Sequence, residues 1–402
     1  MSLGSTAGGQ GVEVVGIGEV DPAATPPTPA ATAVRIPVNG GPIGDIAVSP
    51  DGTRLLLTHF GNHSVSVIDT DAGRVVQAIP GIAEPYAVAA AGDSRAYVST
   101  VLPSFDAIQV IDVEQGVVVA THPVALSVSD LAAGADGKHL FVSRNSARGA
   151  DVAVLDADDE MNLVEVIDIA TTAGTATECV RVSPDGTRLY VGINGPSGGQ
   201  LVVIDTGAAG DRGAATNGRS RRRGKNTKPF AAAGANRVAS NRNPAVIDTI
   251  DIGLPVRDVA VSPNGARVYV ASSGPDFAVV DVVHTASGEV SATRKISEIS
   301  GLLTRLALSA DGDRAYLVGQ DGVTVLCTLT QDLIRSIDLA AQPSCVAESP
   351  DGRHLYIADH SGRVSAVRLP APVDADVHQS ALETRSSAEL FVPETLHDPA
   401  LV

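Results

Sequence analysis

Seven residues at one recurring spacing carry most of the chemistry that this chain can offer. A basic residue recurs at Arg54, Arg95, His139, Arg188, Arg267, Arg314 and His354. Nine residues before each stand Asp45, Tyr86, Asp130, Cys179, Asp258, Arg305 and Cys345. Glu178, Arg257 and Thr304 immediately precede three of them. Three carboxylates, an arginine and a tyrosine gathered at one place suit acid/base work, a carboxylate clamp or simple ligand recognition. The competing reading is that such groups satisfy one another, because buried polar groups need partners.

Other reactive types are sparse. Cys179 and Cys345 suggest a soft-metal or redox pair only if they approach each other, and a small buried thiol is commonly an apolar filler. Cys327 falls in an apolar run and reads as core. With three cysteines and no CxxC, a disulfide framework, a zinc ribbon and covalent haem are all disfavoured. His59, His63 and His360 lack a third anchored ligand, so no metal and no cofactor is expected.

The elements that would position the seven residues are legible as repeats. Ser183-Pro184-Asp185-Gly186-Thr187-Arg188-Leu189-Tyr190-Val191 is the cleanest copy. Proline presets φ, Asp-Gly supplies a positive-φ turn, and a β-branched and aromatic run follows. Copies of the turn end on the seven basic positions, at steps of 41, 44, 49, 79, 47 and 40 residues. Removing the 37 residues 207–243 brings the long step back to 42. Each period holds four short strands, as in Ile46–Val48, Leu55–Leu57, Val65–Asp69 and Val75–Ile79. Four antiparallel strands per 40 to 45 residues make a propeller blade, and a ring of blades buries the faces that one blade cannot.

The expected fold is therefore an all-β seven-bladed β-propeller over residues 32–370. The last period stops after its third strand, Val364–Val367, whereas Ala33–Val38 is a strand with no blade of its own. It is expected to complete blade seven. First strands line the central channel of a propeller, so the seven residues, each placed just before a first strand, should converge at one mouth.

Residues 1–31, rich in Gly, Ala, Pro and Thr, read as an unstructured lead. Residues 371–402 read as an acidic tail with a short helix at most. The stretch 207–243 carries nine basic residues and one acid, +8, in a chain of net −17, which leaves −25 elsewhere. Arg219, Arg221, Arg222, Arg223, Lys225 and Lys228 form its core and suit an anionic partner. The acidic remainder disfavours nucleic acid and anionic membranes. No apolar run is long enough to span a bilayer, and Met1–Val20 lacks a secretory pattern, which points to the cytoplasm, with a non-classical export route as the alternative.

The signatures Ser183–Val191, Ser262-Pro263-Asn264-Gly265-Ala266-Arg267-Val268-Tyr269-Val270 and Ser64-Val65-Ser66-Val67-Ile68-Asp69-Thr70 resemble the YVTN-type, YncE-like, seven-bladed propeller repeats over roughly residues 33–369. The resemblance implies a binding scaffold, and the chain is also similar to lactonase-type propellers. Three functional readings follow. The first is a non-catalytic, monomeric scaffold that engages a protein or small ligand through Asp45, Tyr86, Asp130, Glu178, Asp258 and Arg305. The second is a hydrolase or lyase with the three aspartates as acid/base groups. The third is an electrostatic adaptor acting through the basic stretch.

Overall fold

The computed structural model describes residues 33–207 and 244–369, apart from positions 93, 104, 158, 159, 298, 300, 301 and 340. The N-terminal lead, the C-terminal tail and nearly all of the basic stretch lie outside the described residues. The described residues belong to one compact unit.

The strands assemble into seven separate four-stranded antiparallel sheets, so the expected blade number holds. Blade one is Ile43–Val48, Arg54–His59, Ser64–Asp69 and Arg74–Pro80. Blade seven is Pro343–Glu348, His354–Asp359 and Val364–Arg368, and its outermost place is taken by Ala33–Ile36. Ala33 pairs with Val367 and Ile36 with Val364, joining the two ends of the described chain within one sheet.

The Ser-Pro-Asp-Gly turns work through side chain and backbone together. Ser49 Oγ donates to Asp51 Oδ1 at 2.6 Å and accepts the Arg54 N–H at 2.9 Å. Gly52 takes φ +75°, as the turn requires. A Cβ there would stand 3.0 Å from Pro350 of blade seven, so adjacent turns also interlock. The second strands place their aromatics between blades, and Tyr97, Tyr190 and Tyr316 are fully buried. Each core cluster draws on two neighbouring blades, as when Cys345 and Tyr356 meet Ile46 and Leu57. Faces that no single sheet covers are thus closed by the ring.

The first strands begin earlier than the sequence suggests. Blade one starts at Ile43 rather than Ile46, and a bulge lies between Ile43 and Ile46. The same irregularity recurs at Val128/Asp130, Thr177/Cys179, Val256/Asp258 and Pro343/Cys345. The channel-lining polar residues therefore lie within the first strands, not ahead of them. A bulge re-aims a side chain where regular pairing would not.

Candidate functional site

An axial cavity of about 430 Å³ is lined by Asp45, Asp130, Arg181, Asp258 and Arg305. Its wall continues through Ser309, Pro184 and Pro263, which belong to the turns between first and second strands. It thus lies toward the turn end of the channel.

The three aspartates occupy equivalent positions in blades one, three and five. Each reaches forward to the next blade. Asp45 Oδ2 accepts the Val88 N–H at 3.0 Å, Asp130 Oδ2 that of Val180 at 3.1 Å, and Asp258 Oδ2 that of Leu306 at 3.0 Å. These are inter-blade staples that satisfy first-strand donors facing the axis.

The countercharges differ between the two sides. Arg181 donates to Asp130 at 2.5 Å and to Asp258 at 2.7 Å, bridging blades three and five from blade four. Asp130 and Asp258 also accept the N–H groups of Leu131 and Val259 at 2.9 and 2.8 Å. Arg305 crosses from blade six to Asp45 Oδ1 of blade one at the longer distance of 3.2 Å. The Asp45 side chain is 14% exposed, against 5% for Asp130 and 1% for Asp258. Burial raises the Asp45 carboxyl above its ordinary value, the Arg305 charge lowers it only in part, and the nearby Asp130 charge adds to the rise. Both arginines are held more firmly protonated, Arg305 chiefly by Asp45 and Arg181 by Asp258 and Asp130 against its burial. Three carboxylates face two guanidiniums, leaving the wall one negative charge in excess when all are ionised.

The sequence-derived set divides accordingly. Asp45, Asp130, Asp258 and Arg305 come together as expected. Tyr86 is 47% exposed and lies outside the cavity lining. The reason is a register slip. The turn of blade two is one residue shorter, so Val88 opposite Val98 corresponds to Ile46 opposite Leu57. Ala87, not Tyr86, is the equivalent of Asp45, and a one-residue shift reverses the side a chain faces. Glu178 also lies outside the lining, where Oε1 accepts the Asn194 Nδ2–H at 3.0 Å.

Arg181 was not among the expected residues, although the sequence marks it. Two positions beyond the ring residue stand Ala47, Ala89, Ala132, Arg181, Ala260, Ala307 and Ala347 once blade two is corrected. One arginine among six alanines is the signal.

The thiols and His59 serve the core. Cys179 and Cys345 are free, buried and in different core clusters. Burial pushes the Cys345 thiol up to about 12 and drives that of Cys179 higher still. His59 is buried between Gly41 O at 3.1 Å and Ser66 Oγ at 2.8 Å, and burial lowers its pKa. Among the described residues no group of three or more His, Cys, Asp or Glu is placed to hold a metal ion. No helix among them is long and apolar enough to cross a membrane.

Comparison with known proteins agrees with this architecture. The chain is 53% identical over 369 residues to the seven-bladed beta-propeller protein Rv1057 of Mycobacterium tuberculosis, covering 91% of this chain and 92% of that protein. It is similar in structure to a chain of Kuenenia stuttgartiensis hydrazine synthase, with a TM-score of 0.65 and 18% identity over 87% of this chain and all of that one. At that identity the likeness shows the fold alone. No family model matches.

Proposed function

We propose, for a chain that belongs to the family of seven-bladed β-propeller proteins, a non-catalytic binding scaffold that takes a small cationic ligand in its axial cavity. The observation that carries this reading is the three-to-two balance of carboxylates over guanidiniums on a wall enclosing about 430 Å³. That volume is in the range of small-ligand sites. By count the excess lies with Asp130 and Asp258, which share Arg181, whereas Asp45 is matched by Arg305; but Asp45 has the longest ion pair and the greatest exposure of the three, so it is the carboxylate a ligand can reach. A primary ammonium group entering beside Asp45 would offset the wall's one excess negative charge.

A hydrolytic reading asks one of Asp45, Asp130 and Asp258 to accept a proton from substrate or water, and Asp130 and Asp258 are ill suited to it. Each already accepts from Arg181 and from two backbone N–H groups, which ties its oxygens to holding the ring together. The scaffold reading needs no such release.

The experiment is a thermal-shift and calorimetric titration of the full chain with methylammonium, putrescine and agmatine, with acetate and citrate as controls. A ligand at about 100 times its Kd stabilises by about 2.7 kcal/mol. The amines are expected to raise Tm, the acids are not, and Asp45→Asn should abolish the response. An equal response from Asp45→Asn, or a response to the acids instead, would overturn the reading. Within the family, the Ser-Pro-Asp-Gly-Thr-Arg-Leu-Tyr-Val signature supports membership of the YVTN-type repeats. The basic stretch 207–243 supports a further anionic contact, tested by loss of heparin retention when it is deleted.

A further inference from the structure

Among the described residues, exposed Phe and Tyr side chains are confined to blades one and two. Phe60, Tyr86 and Phe105 are 47%, 47% and 43% exposed. Every other described aromatic of the Phe and Tyr types is buried, except Phe277, which is half-buried beneath the Lys295 ammonium at 4.0 Å. The exposed aliphatics elsewhere lie mostly in small groups on outer strands, such as Val117 and Val119, Leu163, Val164 and Val166, and Leu333 and Ile334, without an aromatic among them.

The three aromatics belong to neighbouring blades and to one face. Phe60 lies in the loop between the second and third strands of blade one, and Phe105 in the matching loop of blade two. Tyr86 lies near the start of blade two's first strand. Strand direction places all three at the end of the channel opposite the turns that border the axial cavity. Hydrogen bonds to backbone carbonyls knit the segments together. Thr58 Oγ1 donates to Tyr86 O at 3.3 Å, Ile82 N to His63 O at 3.0 Å, and Val101 N to Ala83 O at 3.2 Å. Val101, itself 41% exposed, continues the apolar surface between them.

The charge on this surface is one-sided. Residues 60–64, 81–86 and 101–106 contain no lysine or arginine, and their only acids are Glu84 and Asp106, beside Tyr86 and Phe105 respectively. Interface centres are depleted in charge and enriched in aromatics, and their rims carry complementary charge. Outside its basic stretch 207–243, a second copy would bring like charge, −25 in all, to an acidic rim. The chain's own tail offers Leu390-Phe391-Val392 only between Glu389 and Glu394.

We infer that this face of blades one and two docks a partner protein through a segment that inserts an aromatic or branched apolar side chain between Phe60, Tyr86 and Phe105 and presents a lysine or arginine to Glu84 and Asp106. Rigid aromatics offer large contact area with few rotatable bonds, which suits them as anchors.

The test pans a random displayed-peptide library on the full chain and measures the recovered peptides by calorimetry and hydrogen exchange. Peptides pairing an apolar anchor with a basic residue are expected to be enriched and to protect residues 60–63 and 101–105. The triple variant Phe60→Ser, Tyr86→Ser, Phe105→Ser should weaken them by about thirtyfold or more, the scale of an interface hot spot. Glu84→Lys, which leaves the aromatics in place, should weaken them as well. No enrichment, or equal binding to both variants, would overturn the inference. So would a dimer in sedimentation that the triple variant abolishes, which would give the face to a second copy. Faster exchange at residues 60–63 on deleting 371–402 would give it to the tail and overturn it too.

Discussion

Asp130 and Asp258 on one side of the axis, and Asp45 on the other, are the same residue at the same place in three blades, yet they end in different states. The first two share Arg181 at 2.5 and 2.7 Å and are almost wholly buried. Asp45 has Arg305 alone, at 3.2 Å, and more contact with solvent. One side is two carboxylates closed tightly around one shared guanidinium, and the other is a one-to-one pair that is longer and more open to solvent. The difference teaches that a ring of like blades can use the same carboxylate as an inter-blade staple in two settings, one enclosed and one partly open.

The largest expected effect comes from removing the bridge. Arg181→Leu leaves two buried carboxylates without their shared cation and should cost about 3–5 kcal/mol in denaturant unfolding. Arg305→Leu strips a single, more hydrated carboxylate and should cost about 1.5–3 kcal/mol, the scale of one hydrogen bond to a charged group. Equal losses would erase the distinction between the two sides. A double-mutant cycle of Arg305 with Asp45 should return a smaller coupling than one of Arg181 with Asp258, within about 0.5–3 kcal/mol for contacting pairs.

A third contrast is in pH. The Asp45 pKa is raised in the fold, so the stability it contributes is complete below its ordinary value of 3.8 and is lost as pH rises through the folded value. Asp51, whose pKa is lowered to about 2 by the Ser49 and Thr53 hydrogen bonds, contributes in the opposite sense, present above 3.8 and lost as pH falls toward 2. Asp45→Asn should therefore gain on the parent protein as pH is raised from 3 to 7, and Asp51→Asn should lose on it. Urea unfolding across that range reads both. The smallest effect is expected at Ala307→Ser, which alters a half-buried position of the cavity wall without touching a charge and should change stability by less than about 0.5 kcal/mol, within the range of ordinary surface changes.

Much of this was legible in the chain. The Asp-Gly and Asn-Gly turns, spaced at 40 to 49 residues outside the long step, are local chemistry, so blade number and the pairing of Ala33–Ile36 with Val364–Val367 could be read directly. Asp45, Asp130, Asp258 and Arg305 followed from counting along those turns. Tyr86 failed because counting crosses the turn, and blade two's turn is one residue short. Arg181 was missed because the count stopped at one position per blade. That Arg181 bridges two aspartates 51 and 77 residues away is a property of ring closure, which no local pattern encodes. The early start of the first strands was hidden for a related reason. Polar residues at the bulges interrupt the apolar run by which a strand is recognised.

The most direct measurement is carbon-13 NMR of the aspartate carboxyls while putrescine is added to the full chain at neutral pH. The Asp45 signal is expected to move with saturation as an ammonium group settles beside it, while Asp130 and Asp258, held by Arg181, stay in place. Equal movement of all three signals, or a still Asp45 alongside measurable binding, would contradict the division of the axial site into a closed side and a receptive one.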